Sequence, residues 1–348
     1  MGFSVGLFLY FFPFVRTCLA LFRNERTLAF LTIMPFTEPS QIGDLYFAFL
    51  GILFEGAPYI LLGTIISGFI DAYLPSNMID RFLPKNRYAA IALAGLLGTI
   101  FPVCECAIVP VIRRLVQKGL PVSCAITYML SAPIVNPIVA LSTYSAFAGN
   151  DPLFMTLSRI GVAYLITVLV GIVVHQFSIK SILRNNLLKK IQTDSQNIQS
   201  ATVLLNKEKE TPDRLLIALR SAARDFLDVG MYFVIGVMIT ALYRTQINQG
   251  LVDQFGSSDL IGIPAMMFLS FVLSLCSTSD AFIAAQMLSF SSAAKLAFLT
   301  YGPMMDVKLV FMYSSVFKPR FVLSLAVGLF IVIGILFYQW SNIPVPGT

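Results

Sequence analysis

Long apolar runs, separated by short polar stretches, make up almost the whole chain. They cover residues 3–22, 45–70, 88–112, 120–148, 155–177, 226–247, 259–290, 293–317 and 320–340. A membrane-spanning helix needs roughly 20 predominantly apolar residues, and most of the runs reach that length. No run shows the sustained two-residue alternation of a membrane β-strand. The pattern predicts an all-α polytopic protein that crosses the lipid bilayer of the plasma or inner membrane.

Composition supports this class and excludes several others. Of the 348 residues, 57% are hydrophobic and 12% are charged, whereas a soluble domain carries about 25% charged residues. The net charge of +6 gives no nucleic-acid signal, because no basic patch is interleaved with aromatic residues. Five cysteines and one histidine exclude a disulfide scaffold and a histidine-rich metal site. Nucleotide-loop, hydrolase and zinc-protease motifs are absent, so we expect neither an enzyme nor a cofactor.

A polar segment rich in Lys and Arg divides the chain into two apolar halves. The excess of positive charge predicts that this segment lies in the cytoplasm. The expected organisation is an N-terminal apolar segment at 1–43, whose role the sequence leaves open, a membrane repeat at 44–177, a cytoplasmic linker at 178–224 and a second repeat at 225–348.

The two halves resemble each other in their least common residues. Shifts of 170 and 173 residues bring Cys, Pro and carboxyl or amide positions into register: Cys106 with Cys276, Pro133 with Pro303, Asn136 with Asp306, and Glu55 with Asp228. Internal duplication of this kind is the usual basis of transporter folds. If Cys106 and Cys276 are equivalent, the two thiols should face each other across the axis that relates the repeats.

The orientation of the repeats depends on how the runs at 88–112 and 259–290 enter the membrane. If both cross it, each half crosses four times and the repeats are parallel. If both are re-entrant helical hairpins, each half crosses three times and the repeats are inverted. Inversion places the cations at 113–118, the linker and Lys318 on the same cytoplasmic side, which the positive-inside rule favours. Each repeat is then expected to hold a hairpin and a broken transmembrane helix.

The segment FPVCECAIVP holds the most informative residues. Glu105 is an ionisable group within an apolar run, and such a group in a membrane protein is a functional candidate. Cys104 and Cys106 flank it, and with Cys276 they form a candidate soft-ligand site for thiophilic metals or metalloids. A closed zinc site would need four ligands, so none is expected. The alternative is that the thiols are packing residues.

Two further pairs of segments complete the candidate substrate site. Ser277, Thr278 and Asp280 either line a polar cavity or cap a helix that begins near Asp280. The broken helices contribute Pro133, Asn136, Pro303 and Asp306. Proline interrupts a helix and can expose backbone groups at membrane depth, although it can also produce a simple kink.

Four carboxylates are candidates for proton coupling: Glu55, Glu105, Asp228 and Asp280. For Glu55 and Asp228 the alternative is an ordinary position near a helix start and water.

Four stretches carry a resemblance to a known family: PVCECAIVPVIRRLVQKGLP, YMLSAPIVNPIVALSTY, CSTSDAF and AKLAFLTYGPMMDVKL. Over residues 45–340 the chain resembles the ArsP/YraQ-type predicted permeases. The resemblance implies a polytopic permease, and one branch of the family exports trivalent organoarsenicals. The matching positions are Cys104, Cys106, Cys276, Ser277, Thr278, Asp280, Pro133, Asn136, Pro303 and Asp306. Glu105 departs from the ArsP-like form, which has a small polar residue there, and it points to a cationic or proton-coupled substrate.

The expected function is therefore a membrane permease that moves a small solute by alternating access, driven by protons. The solute is an ion or small molecule, thiophilic if the thiols bind it, such as an organoarsenical, a metal or a metalloid. One alternative is a thiol-redox protein that uses Cys104 and Cys106, and another is a channel-like or scaffold protein. No nucleic-acid partner is expected, and the sequence leaves homo-oligomerisation open.

Overall fold

The computed structural model describes residues 39–73, 84, 86–149, 151–177, 179–184, 211–244 and 259–341. Thirteen helices lie within these ranges. The first half contains α1 (Pro39–Tyr73), α2 (Arg87–Ile100), α3 (Glu105–Gln117), α4 (Val122–Ser131), α5 (Pro137–Ala146), α6 (Pro152–His175) and the short α7 (Ile179–Ile182). The second half contains α8 (Thr211–Arg244), α9 (Asp259–Leu273), α10 (Asp280–Gln286), α11 (Ser292–Met304), α12 (Val307–Tyr313) and α13 (Pro319–Ser341).

Within the described ranges, four helices are long and apolar enough to cross a membrane. The spans are Gly43–Ile70, Pro152–His175, Ala218–Tyr243 and Pro319–Ser341. Apart from an isolated antiparallel bridge between Leu183 and Phe317, the described ranges contain no β-structure. The prediction of a helical, multi-pass membrane protein is confirmed.

All four predicted segments extend beyond the described ranges. Outside them lie residues 1–38 of the N-terminal segment, 74–83, 85 and 150 of the first repeat, 178 and 185–210 of the linker, and 245–258 and 342–348 of the second repeat. Helix α8 begins at Thr211, inside the segment that the sequence assigns to the linker.

The helices break where the sequence predicts interruptions. Four residues separate the end of α2 at Ile100 from Glu105, at which α3 begins, and α9 ends before the Cys-Ser-Thr-Ser run that precedes α10. At the second pair of breaks, the corresponding residues Asn136 and Asp306 both cap the helix that follows. The Asn136 side chain accepts a hydrogen bond from the Ile138 amide at 2.9 Å, and Asp306 accepts one from the Leu309 amide at 2.7 Å. Each side chain satisfies an amide that the helix leaves without a partner.

Each half contains a layer of three mutually packed helices. Helices α2, α4 and α6 form the layer of the first half, and α9, α11 and α13 form that of the second. Small residues permit close approach within both layers. A Cβ added to Gly98 of α2 would lie 2.7 Å from the Ala132 Cα, and one added to Gly302 of α11 would lie 2.8 Å from the Ser270 Oγ.

The short helices connect the halves in a reciprocal way. Helix α3 of the first half packs on α12 of the second, and α10 of the second packs on α5 of the first. The second of these contacts includes a hydrogen bond that Ser142 Oγ of α5 donates to the Thr278 carbonyl at 2.5 Å. The breaks before α3 and α10 therefore lie beside helix pieces of the opposite half.

Close packing of α1 on α3 depends on Gly63. A Cβ at this position would lie 2.5 Å from the Ala107 carbonyl oxygen, which belongs to the backbone and cannot rotate away. We expect Gly63→Ala to destabilise the protein by about 1–3 kcal/mol, because overpacking forces the two helices apart. Thermal unfolding in detergent measures the loss. Gly51→Ala is the matched control, since a Cβ there meets nothing within 4 Å. Equal midpoints for the two variants would contradict the predicted close contact.

Candidate functional site

Glu105 is the centre of a buried polar cluster. It is the first residue of α3, and its side chain is almost completely buried. The partial positive charge of a helix N-terminus favours a carboxylate at this position. Lys308 Nζ lies 3.5 Å from Glu105 Oε1, and Ser277 Oγ donates a hydrogen bond to Oε2 at 3.3 Å. The carboxylate thus contacts two segments of the second half of the chain.

Lys308 joins two carboxylates to the backbone. Its ammonium donates a hydrogen bond to the Ser274 carbonyl at 2.9 Å and lies 3.4 Å from Asp306 Oδ2. The other Asp306 oxygen is engaged by the amide of Leu309. Burial of these charges is tolerated because each has a neighbour of opposite charge.

A small cavity lies beside this cluster. It is lined by Ile52, Glu55, Gly56, Tyr59, Cys104, Glu105, Cys106, Phe233, Cys276 and Lys308. Its volume of about 10 Å³ is room for about one water molecule. Helices α1, α3, α8 and α12 and the segment before α10 all contribute to its wall, so both halves of the chain enclose it.

The structure brings the three predicted thiols to this one cavity. Cys106 is buried, Cys104 and Cys276 are partly exposed, and all three are free thiols. Thr278 Oγ1 lies 3.6 Å from Cys276 Sγ and donates a weak hydrogen bond to it. Within the described part of the chain, no three His, Cys, Asp or Glu side chains converge closely enough to hold a metal ion. A soft solute would therefore need local rearrangement to bind several of the thiols at once.

Asp280 neither caps its helix nor lines the cavity. The sequence left these two roles open, and the structure instead pairs the carboxylate with Arg159 of α6. Arg159 Nη2 donates to both carboxylate oxygens, at 2.8 and 3.1 Å, and to the Ser277 carbonyl at 3.1 Å, while Nη1 donates to Thr143 Oγ1 at 2.7 Å. Arg159 is fully buried. This pair shares Ser277 with Glu105 and so connects the cavity wall to α6.

The other predicted residues divide between structural and exposed positions. Pro133, Asn136, Pro303 and Asp306 are buried at the helix breaks but are not part of the cavity wall. Of the equivalent carboxylates Glu55 and Asp228, Glu55 lines the cavity. The Asp228 side chain is 58% exposed and pairs with Arg113 at 3.0 Å, away from the cavity.

Another buried ion-pair cluster lies near the C-terminal end of α3, away from Glu105. Arg114 donates two hydrogen bonds to Asp225 of α8, from Nε at 2.8 Å and from Nη2 at 3.0 Å. Ser67 Oγ of α1 also donates to Asp225, at 2.9 Å, and Arg114 donates to Ser221 Oγ of α8 at 2.6 Å. We call these four residues the Arg114–Asp225 cluster. It ties together α1, α3 and α8, the helices that also enclose the cavity.

The sequence interpretation did not single out Arg159, Arg114 or Asp225. For Arg159 a signal was present, because it is the one Lys or Arg between Pro152 and His175, and an ionisable residue in such a helix is a functional candidate. Arg114 and Asp225 lie near polar segments, where charged side chains are usually exposed to solvent, so the sequence does not distinguish them from ordinary surface charges. Only the packing of α3 on α8 makes them a buried pair.

Comparison with known sequences decides the family. Residues 41–339 match the ArsP_1 family, whose description is predicted permease. The chain belongs to the ArsP_1 family of predicted permeases. The matched residues include both halves of the chain, the cavity wall, and the Arg159–Asp280 and Arg114–Asp225 pairs. The match confirms the resemblance seen in the cysteine-containing and proline-containing stretches.

Two relatives of this ArsP_1 protein align over most of their length. UPF0718 protein YcgR of Bacillus subtilis is 37% identical over 299 residues, which are 85% of this chain and 97% of the relative. A Streptococcus mutans protein named "Putative two-component membrane permease complex subunit" is 35% identical over 290 residues, 82% of this chain and 91% of the relative. No solved structure matches the chain.

Proposed function

We propose that this ArsP_1 protein moves a small thiophilic solute through the cavity beside Glu105 by alternating access coupled to protons. The observation that carries the proposal is the composition of the cavity wall, which joins three thiols, the Glu105 carboxylate and the Lys308 ammonium. Thiols are ligands for soft metals and metalloids, and the charged pair gives polarity at membrane depth. Membership of a predicted-permease family supports transport over enzymatic catalysis.

The reciprocal packing of the halves supports inverted repeats. The three-helix layers and the contacts of α3 with α12 and α10 with α5 follow the same order in each half. In our proposal the pairs α2–α3 and α9–α10 are re-entrant hairpins, and their tips meet at the cavity. A site at the junction of two inverted repeats can be reached from either side as the halves rock against each other.

Alternating access also requires a closed path on at least one side of the cavity. Arg114 lies nine positions after Glu105 on α3, which is about 13.5 Å along the helix axis. We propose that the Arg114–Asp225 cluster closes the path at that end. We propose that this end faces the cytoplasm, because the linker and the cations near the cluster favour that side under the positive-inside rule.

The geometry narrows the choice of proton carrier. Asp280 is neutralised by Arg159, and Asp228 pairs with Arg113 at an exposed position. Glu55 and Glu105 line the cavity, where a proton and the solute could exchange. Glu105 is the stronger candidate because it is buried and contacts the other half of the chain.

Transport by vesicles tests the proposal directly. With a pH gradient imposed, we expect uptake of Cd²⁺ or of phenylarsine oxide, a trivalent organoarsenical, and little uptake without the gradient. Glu105→Gln should lower the rate about 100-fold, since one interaction with a buried charge is worth roughly 3 kcal/mol. Cys106→Ser and Cys276→Ser should lower it about tenfold or more, because a hydroxyl is a poor soft ligand.

Cys124→Ser is the matched control for the thiols. Cys124 is buried like Cys106 but does not line the cavity, so its replacement should leave the rate unchanged. Unchanged transport in both cavity variants would show that the thiols are packing residues. Reversible disulfide formation by Cys104 and Cys106 with no flux would instead favour the thiol-redox alternative.

The Streptococcus relative is named as a subunit of a complex, and we propose that this chain also works with a partner subunit. The transport assay is therefore run on native membrane vesicles as well as on the purified chain. Flux only in native vesicles, together with a membrane protein that copurifies in fixed ratio, would support the partner.

A further inference from the structure

We infer that the Lys308 ammonium occupies the position where a soft cationic substrate binds, and that the arriving cation displaces it. The inference rests on the proposed function and narrows its substrate to a small soft cation. It also assigns a role in substrate binding to Lys308, which lines the cavity.

The contacts of the ammonium show how it is held. Its short contact is the hydrogen bond to the neutral Ser274 carbonyl, at 2.9 Å. Its distances to Glu105 and Asp306 are 3.5 and 3.4 Å, longer than the approximately 2.7–2.9 Å of charge-assisted hydrogen bonds. Among the described residues, no donor is in hydrogen-bond geometry with the buried Asp306 Oδ2. The ammonium balances the carboxylates without saturating them, so a different cation can compete for their oxygens.

The charge of the site favours a positively charged substrate. Glu105 and Asp306 supply two carboxylates, and within the described ranges Lys308 is the cation that pairs with both. The neighbouring Asp280 is already balanced by Arg159. The cluster therefore has one more acid than base, and a positively charged guest is favoured over an anion.

The cavity wall selects the kind of cation. Cys104, Cys106 and Cys276 surround the approach to Glu105 and Lys308. A thiol that binds a soft cation releases its proton to water, and the resulting thiolate favours soft ions, whereas Mg²⁺ and Ca²⁺ favour sites built of oxygen ligands alone.

Displacement followed by return gives the lysine a role throughout a transport cycle. An empty site without Lys308 would leave Glu105 and Asp306 as buried charges with no counter-ion, which is costly. When the cation leaves, the ammonium can return to its position at the Ser274 carbonyl. The two carboxylates therefore have a positive counter-ion beside them in both the loaded and the empty state.

Cd²⁺ binding to the purified full-length chain in detergent tests the inference. Calorimetric titration gives Kd, and cadmium–thiolate charge-transfer absorption reports contact with sulfur. We expect the wild type to bind Cd²⁺ and not Mg²⁺, and we expect Lys308→Gln to bind Cd²⁺ about tenfold more tightly or better, because a competing positive charge has been removed. An unchanged or weaker affinity would overturn the inference, as would the absence of a thiolate signal in both proteins.

Two controls separate loss of charge from general disturbance. Lys295→Gln removes a second buried lysine, which is not part of the cavity wall, and should leave Kd unchanged. Lys308→Arg keeps the charge and should not tighten binding; tightening equal to that of Lys308→Gln would contradict the inference.

If Lys308→Gln does not fold, Lys308→Ala purified with methylammonium provides the same comparison. The small ammonium ion should restore folding and then compete with Cd²⁺, so that Kd rises with its concentration. A Kd independent of methylammonium would overturn the inference. Tighter binding by Lys308→Gln without flux in vesicles would defeat the proposed transport alone, and flux with unchanged binding would defeat only the role of Lys308.

Discussion

Arg159→Leu is expected to lower the free energy of unfolding by about 3–5 kcal/mol, because it leaves the buried Asp280 carboxylate without its cation. Arg159 is fully buried, and it supplies four hydrogen bonds to groups on α5, α10 and the segment before α10. Loss of the guanidinium also leaves the Thr143 hydroxyl without this donor. Unfolding titration in mixed detergent micelles measures the change.

The double variant Arg159→Leu/Asp280→Leu identifies the cause. Removing both charges should restore about half of the lost stability or more, because no uncompensated charge remains. Asp228→Ala breaks an exposed ion pair and should cost less than about 1 kcal/mol. If the double variant were as unstable as Arg159→Leu, the stabilisation would come from packing of the arginine stem rather than from the ion pair.

The positions of the helix breaks could be predicted from the sequence because their chemistry is local. Polar or proline-containing interruptions within apolar runs mark the ends of α2, α4, α9 and α11. The alignment of Asn136 with Asp306 also points to a shared local role, since both side chains cap the next helix.

The pairing of charges could not be predicted, because it depends on which helices pack together. Glu105 and Lys308 are far apart in sequence and meet only because α3 packs on α12. The carboxylate of Asp280 could equally have capped α10, since Asp is a preferred capping residue. Its choice of Arg159 depends on the contact between α6 and the second half of the chain.

The alignment of the two halves matches residues along the sequence, but it does not predict that matched residues have the same role. Glu55 and Asp228 are equivalent in sequence, yet Glu55 lines the cavity and Asp228 pairs with Arg113 at an exposed site. The two halves of the chain contribute different wall segments to the cavity, so residues that align in sequence have different surroundings.

Opening of the cavity towards one side is the second large effect that we expect. In Arg114→Gln/Asp225→Asn, both charges of the buried pair are removed together, so no unpaired charge remains to unfold the protein. Since the pair ties α3 to α8 beside the proposed path to the cavity, we expect its loss to favour conformations in which that path is open. We expect a membrane-impermeant maleimide to label the cavity thiols about tenfold faster or more, because a shift of 1.4 kcal/mol in the opening equilibrium changes the open population by that factor.

Right-side-out and inverted vesicles show which side opens. Cys18→Ser and Cys124→Ser provide the background, so that Cys104, Cys106 and Cys276 are the thiols that remain. Asp228→Asn is the matched control, since it neutralises an exposed carboxylate on the same helix and leaves Arg113, Arg114 and Asp225 charged. Faster labelling only in inverted vesicles would place the Arg114–Asp225 cluster on the cytoplasmic side of the cavity, as proposed. Unchanged labelling in both preparations, or an equal increase in the control, would mean that the cluster holds the fold together without closing the path.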